Sequence, residues 1–120
     1  MQIPVEPIAP GYDARLEIAY PNAFADAAQL TQGALVAQFR ASIDADDVLF
    51  EARTADGTIT VARGSDETLV IVTIPSEDTS NMAPDTWVSF DFVRLDGGVK
   101  DVVPGQWRWP VRKAITRNVA

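Results

Sequence analysis

The sequence contains no cysteine and no histidine. Without cysteine there is no disulfide to staple a small core, a composition that suits the cytosol. Without histidine the commonest general base and metal ligand is missing. Together the two absences exclude a Ser/His/Asp or Cys/His nucleophilic centre. There is no G-x-S-x-G elbow, and Gly97-Gly98 is a turn pair rather than part of a Gly-x-x-x-x-Gly-Lys phosphate loop. No run reaches the roughly 18 apolar residues of a membrane-crossing helix. The opening Met1-Gln2-Ile3-Pro4-Val5-Glu6 lacks the basic flank and apolar stretch of a signal peptide. Basic residues are scarce too, 10 against 17 acidic, for a formal charge of −7. A field of that sign opposes a nucleic-acid backbone or an anionic membrane surface as the main partner. These absences predict a soluble acidic domain that is not an enzyme and carries no cofactor.

What is present fits one compact domain: 120 residues, 47% apolar and 22% charged. Eight prolines and seven glycines are spread between short apolar stretches, as turns are in an all-β chain. Residues 1–12 hold three prolines in their first ten positions and read as an extended arm, ordered only if something grips it. Residues 13–120 read as a single β-sandwich domain.

Asp13 to Tyr20 alternates loosely around Leu16 and Ile18. Residues 22–32 suit either a short alanine-rich helix or an irregular crossover. From Ala34 to Ser42, residues Leu35, Ala37, Phe39 and Ala41 share a parity, with Val36, Gln38 and Arg40 opposite. Val48, Phe50 and Ala52 alternate with Leu49, Glu51 and Arg53. Asp56-Gly57 then predicts a hairpin to Ile59 and Val61. Leu69 to Ile74 is apolar on both parities and reads as a central strand covered on both faces. Pro75 to Pro84 predicts a helical turn crossing between sheets. Trp87 to Leu95 reads as one strand with Val88, Phe90 and Phe92 on one face. Asp96-Gly97-Gly98 turns into a return strand, Val99 to Val103. Pro104-Gly105 is another turn. Trp107, Trp109 and Val111 then share a parity in a strand that Pro110 confines to an edge or a bulge. Lys113 to Val119 is a candidate to close the sheet. Seven to eight short strands at this spacing predict an antiparallel sandwich, with Phe50, Ile59, Val61, Ile71, Val88, Phe90 and Phe92 in its core.

Two groups of residues invite a functional reading. The carboxylates Asp44, Asp46 and Asp47 crowd one loop, and Glu77 with Asp78 another. The first cluster lacks the glycine and distal glutamate of a known calcium loop, and such residues on an acidic protein are ordinarily solvated. The tryptophans are more distinctive. Trp107 and Trp109 place two indoles on one sheet face with Arg108 on the other, either as core or as a stacking and docking surface. Arg108, Arg112, Lys113 and Arg117 make the C-terminal region basic while the rest is acidic. The candidate interaction residues are therefore Trp87, Trp107, Arg108, Trp109, Arg112 and Arg117. They predict self-association or docking through residues 104–117, anchored by Trp107 or Trp109.

The segment WVSFDFVRLDGGVKDVVPGQWRWPVRKAITR, from Trp87 to Arg117, carries a resemblance. Phe90-Asp91-Phe92, the Asp96-Gly97 turn, Val99 to Val103, Gly105 to Val111 and Thr116-Arg117 follow one another as in the closing part of small Ig-like β-sandwich domains of tailed bacteriophages and prophages. Upstream, Leu30-Thr31-Gln32-Gly33, Gln38-Phe39-Arg40 and Thr54-Ala55-Asp56-Gly57-Thr58-Ile59 are similar to the spacing in the same domains. That resemblance covers roughly residues 13 to 117, and its motifs are structural. The domains include the N-terminal domain of upper baseplate proteins, and the sequence resembles the stand-alone kind. Trp107-Arg108-Trp109-Pro110 departs from the plain aliphatic strand that is usual there. The resemblance implies an Ig-like fold and a virion structural role at tail, baseplate or neck. It further implies assembly in the bacterial host cytoplasm, with other virion proteins or copies of itself as partners. A carbohydrate-binding module using the tryptophans is the alternative.

Overall fold

A computed structural model of the protein describes residues 6–114. Among them nine strands and two short helices occur in the order β1 (Ala14–Pro21), α1 (Asn22–Ala27), β2 (Ala34–Phe39), β3 (Phe50–Arg53), β4 (Ile59–Arg63), β5 (Glu67–Ile74), α2 (Ser76–Thr79), β6 (Thr86–Phe90), β7 (Phe92–Asp96), β8 (Val99–Val102) and β9 (Trp107–Val111). All strand-to-strand ladders are antiparallel. The fold is an all-β sandwich.

One layer is the sheet β1-β5-β4. The other is built from β3-β2-β7-β8 together with the β6-β9 pair. These two pieces are continuous. Ala37 of β2 faces Phe92 of β7, and three residues further on Arg40 faces Ser89 of β6 in the same register. Arg40 and Ser89 exchange both backbone hydrogen bonds, at 2.9 and 2.7 Å. β6 and β7 are therefore one strand interrupted at Asp91, and β8 and β9 follow one another along its far side. Counted this way the described residues form seven strands, three in one sheet and four in the other.

The core lies between the layers. Leu16, Ile18 and Tyr20 of β1 and Val70, Val72 and Ile74 of β5 project inward from one sheet. Leu35, Ala37 and Phe39 of β2 and Val88, Phe90 and Phe92 of the β6–β7 strand project from the other. Phe39 stacks on Phe90 with centroids 4.3 Å apart, and Phe90 meets Phe92 edge to face. Arg94 continues the inward parity of Phe92, but its guanidinium reaches Asp96 and Asp101 at the mouth of the β7–β8 hairpin. That hairpin turns through Gly97 and Gly98, both at positive φ, which a two-residue turn of this kind requires.

Several expectations change. The Thr54–Gly57 turn does form, with the Gly57 N–H donating to the Thr54 carbonyl. It does not close a hairpin, because β3 pairs with β2 and β4 pairs with β5. β5 is central, but only its even positions are buried; Leu69 and Ile71 lie half-buried on the outer face, so Ile71 leaves the core. Val48 is exposed and precedes β3. Phe50 and Val61 pack against the core from its margin. Residues 22–32 resolve into the single helix α1 followed by turns, and α2 supplies the crossing from β5 to β6.

The arm is gripped. Ile8 is buried and lies parallel to Val111, its N–H donating to the Pro110 carbonyl while the Arg112 N–H donates to the Ile8 carbonyl. Thr79 holds the next stretch, accepting from the Gly11 N–H and donating to the Tyr12 carbonyl. Residues 1–5 and 115–120, including Arg117 and most of the Lys113 to Val119 segment, lie outside the described residues.

Candidate interaction face

The outer face of the β6–β9 pair brings one tryptophan together with two arginines. Trp87 of β6 faces Pro110 of β9 across the ladder. Side chains alternate along a strand, so Arg108 and Arg112, two positions either side of Pro110, share the face that Trp87 occupies. Their guanidinium carbons lie 4.8 and 5.9 Å from the Trp87 ring centroid. That is cation–π distance for both. Trp87 remains 42% exposed.

Trp107 and Trp109 share a face with each other, as their spacing implies, and it is the inward one. Each is half-buried and packs against the core, Trp107 on Tyr20 and Trp109 on Phe90. They form no exposed pair. The Trp109 indole N–H donates to the Glu6 carbonyl at 2.8 Å. This contact explains how β9 accommodates Pro110. The Pro110 carbonyl points to the arm, so its nitrogen, which lies on the same side of a strand, faces the arm and not β6. A regular parallel ladder would carry an N–H from position 110 to Glu6, and the indole supplies that donor instead.

The β2–β3 loop rises on the other side of β6. Arg40 pins it, donating to the carbonyls of Ala45 and Asp46 at 2.9 and 2.6 Å. The same guanidinium donates to Gln38 Oε1, Gln38 donates to Glu51, and Arg53 pairs with the other Glu51 oxygen. The Gln38 amide and the Arg53 guanidinium hold the Glu51 carboxyl below its ordinary pKa. This polar chain ties β2 to β3 and holds the loop in place. Ile43, at the loop's crest, is 64% exposed.

Between the loop and β9 runs a groove in two lobes. One, of about 590 Å³, is bordered by Ile43, Asp44, Leu49, Trp87 and Arg108. The other, of about 380 Å³, is bordered by Gln38, Arg40, Ser89, Gln106 and Trp107. Ile43 and Arg108 border both lobes. Asp44, Asp46, Asp47, Arg108, Arg112 and Lys113 are exposed, and none of them forms an ion pair among the described residues. Glu77 and Asp78 lie apart, in the first turn of α2. Among the described residues no group of three or more carboxylates converges as a metal site would need.

Sequence reasoning singled out Trp87, Arg108 and Arg112, and the structure brings these together. It missed Ile43 and the Arg40 clamp. The parity of Gln38 and Arg40 was visible, but their link to the loop depends on a chain reversal that no turn motif marks. No family model, no curated protein and no solved structure matches this chain.

Proposed function

We propose that this chain is a non-enzymatic structural protein of a tailed-phage or prophage particle, at tail, baseplate or neck, working through protein–protein contacts of the Trp87 face. One observation carries the docking part of this reading. An exposed indole, flanked by two arginines and facing an exposed isoleucine, sits on a domain whose net charge is −7. Tryptophan and arginine are the side chains most enriched where protein partners bind tightly. The phage assignment is supported by the ordered resemblance from Phe90-Asp91-Phe92 to Thr116-Arg117, and the antiparallel two-sheet sandwich is compatible with it.

The carbohydrate alternative has narrower support. Stacking on a sugar needs open ring faces, and with Trp107 and Trp109 turned inward only Trp87 is left, with Arg108 over its ring.

Mass spectrometry of particles purified from the encoding strain after prophage induction tests the proposal. The expected result is this chain among the particle proteins in stoichiometric amount. Its presence in the lysate but absence from purified particles contradicts the assignment.

A further inference from the structure

The Trp87 face has banks of opposite charge. On one side of β6, the β2–β3 loop carries Asp44, Asp46 and Asp47. On the other, β9 and the residues after it carry Arg108, Arg112 and Lys113. Trp87 of β6 lies between the banks, and Ile43 of the loop borders the same groove, so the two supply its exposed apolar surface. The loop is not free to fold across and neutralise the basic bank, because Arg40 holds its backbone at Ala45 and Asp46.

A face with an anionic bank, an apolar centre and a cationic bank is self-complementary. Rotation by a two-fold axis through the centre sets each bank against its opposite. We infer that the partner of this face is a second copy of the same chain, paired about such an axis, with Arg108 and Arg112 of each copy meeting the Asp44–Asp47 loop of the other. Trp87 and Ile43 are then covered at the centre, where binding energy concentrates. This inference rests on the docking role proposed above and names the partner.

Salt alone does not read the arrangement out. Each copy carries −7, so added salt screens the long-range repulsion as well as the local attraction. Charge exchange does. Two variants of the full chain are made: Arg108→Asp with Arg112→Asp, and Asp44→Lys with Asp46→Lys and Asp47→Lys. Sedimentation velocity is run on each alone and on the mixture, with circular dichroism confirming the fold. The wild type is expected to dimerise, each variant alone to be monomeric, and the mixture to regain a dimer, because in the mixed pair both contacts again join opposite charges. Trp87→Ala is expected to weaken the wild-type dimer at least about 30-fold. A wild type that stays monomeric at every concentration overturns the inference. So does a dimer that persists in each variant alone, or a folded mixture that stays monomeric. The particle test is independent: a chain found in particles but monomeric in solution removes the two-fold pairing and leaves the virion role standing.

Discussion

Tyr20 of β1 and Trp107 of β9 meet edge to face across the sandwich, their ring centroids 6.2 Å apart and their planes at 82°. Phe24 of α1 stacks on the other side of Tyr20 at 5.0 Å, so helix, first sheet and last strand share one aromatic contact. The phenol oxygen and the indole nitrogen are both buried there, and neither has a hydrogen bond of good geometry.

Burial raises the Tyr20 pKa, and the Trp107 N–H partly offsets the rise. The unfolded value is about 10. A folded pKa above it favours the neutral phenol, so the contribution to stability is complete below the unfolded pKa and is lost as pH rises through the folded one. Tyr20→Phe is expected to cost less than about 1 kcal/mol at neutral pH, since the hydroxyl is poorly partnered. It should also flatten the alkaline fall in the urea midpoint. An alkaline fall equal to that of the wild type would place its origin elsewhere.

The arm is predicted to belong to the fold. Ile8 is 1% exposed and its backbone bonds both sides of Val111. Ile8→Ala should cost about 2–5 kcal/mol, the range for truncating a buried aliphatic side chain to alanine. Chemical denaturation measures this directly, and a loss under about 0.5 kcal/mol, typical of an uncritical surface site, would show that the grip is weak.

Gly33 is the position least tolerant of a side chain. Its φ is +75°, and a Cβ there would stand 2.5 Å from the Leu95 carbonyl oxygen. That oxygen belongs to β7, beside which β2 must start, so neither backbone can yield without shifting the Ala34–Leu95 pairing. Gly33→Ala is expected to lose at least about 2 kcal/mol. Gly57→Ala shares the positive φ but meets nothing within 4 Å, and is expected to lose less. Equal losses at the two sites would mean that φ strain alone sets the cost.

What the sequence disclosed depended on whether a local pattern had one structural meaning. Val88, Phe90 and Phe92 alternate with polar neighbours, so their inward parity was legible even though Asp91 interrupts the strand. Gly97-Gly98 joins two strands that pair with each other, and its hairpin was legible as well. Asp56-Gly57 reverses the chain equally well, yet turn chemistry does not choose partners, and β3 and β4 join different sheets. Leu69 to Val72 is apolar on both parities, and Thr73 is the one polar residue before Ile74 to mark the outward side that Ile71 takes. Trp107 and Trp109 were placed together correctly, but parity alone does not tell inside from outside. That depends on Tyr20 and the arm, more than 80 residues away in sequence. The basic side of the candidate face was readable for the opposite reason: Arg108 and Arg112 are near neighbours in sequence, and the strand period puts them on one side.

The most direct test of the Trp87 face is acrylamide quenching of tryptophan fluorescence as a function of protein concentration. Trp87 is the most exposed of the three indoles, so it should dominate the quenching of dilute protein. Trp87→Phe identifies its share of the signal. The account predicts that this share is protected as concentration rises in the wild type and stays accessible in the Arg108→Asp, Arg112→Asp variant. Quenching of Trp87 that is unchanged from dilute to concentrated protein would contradict it.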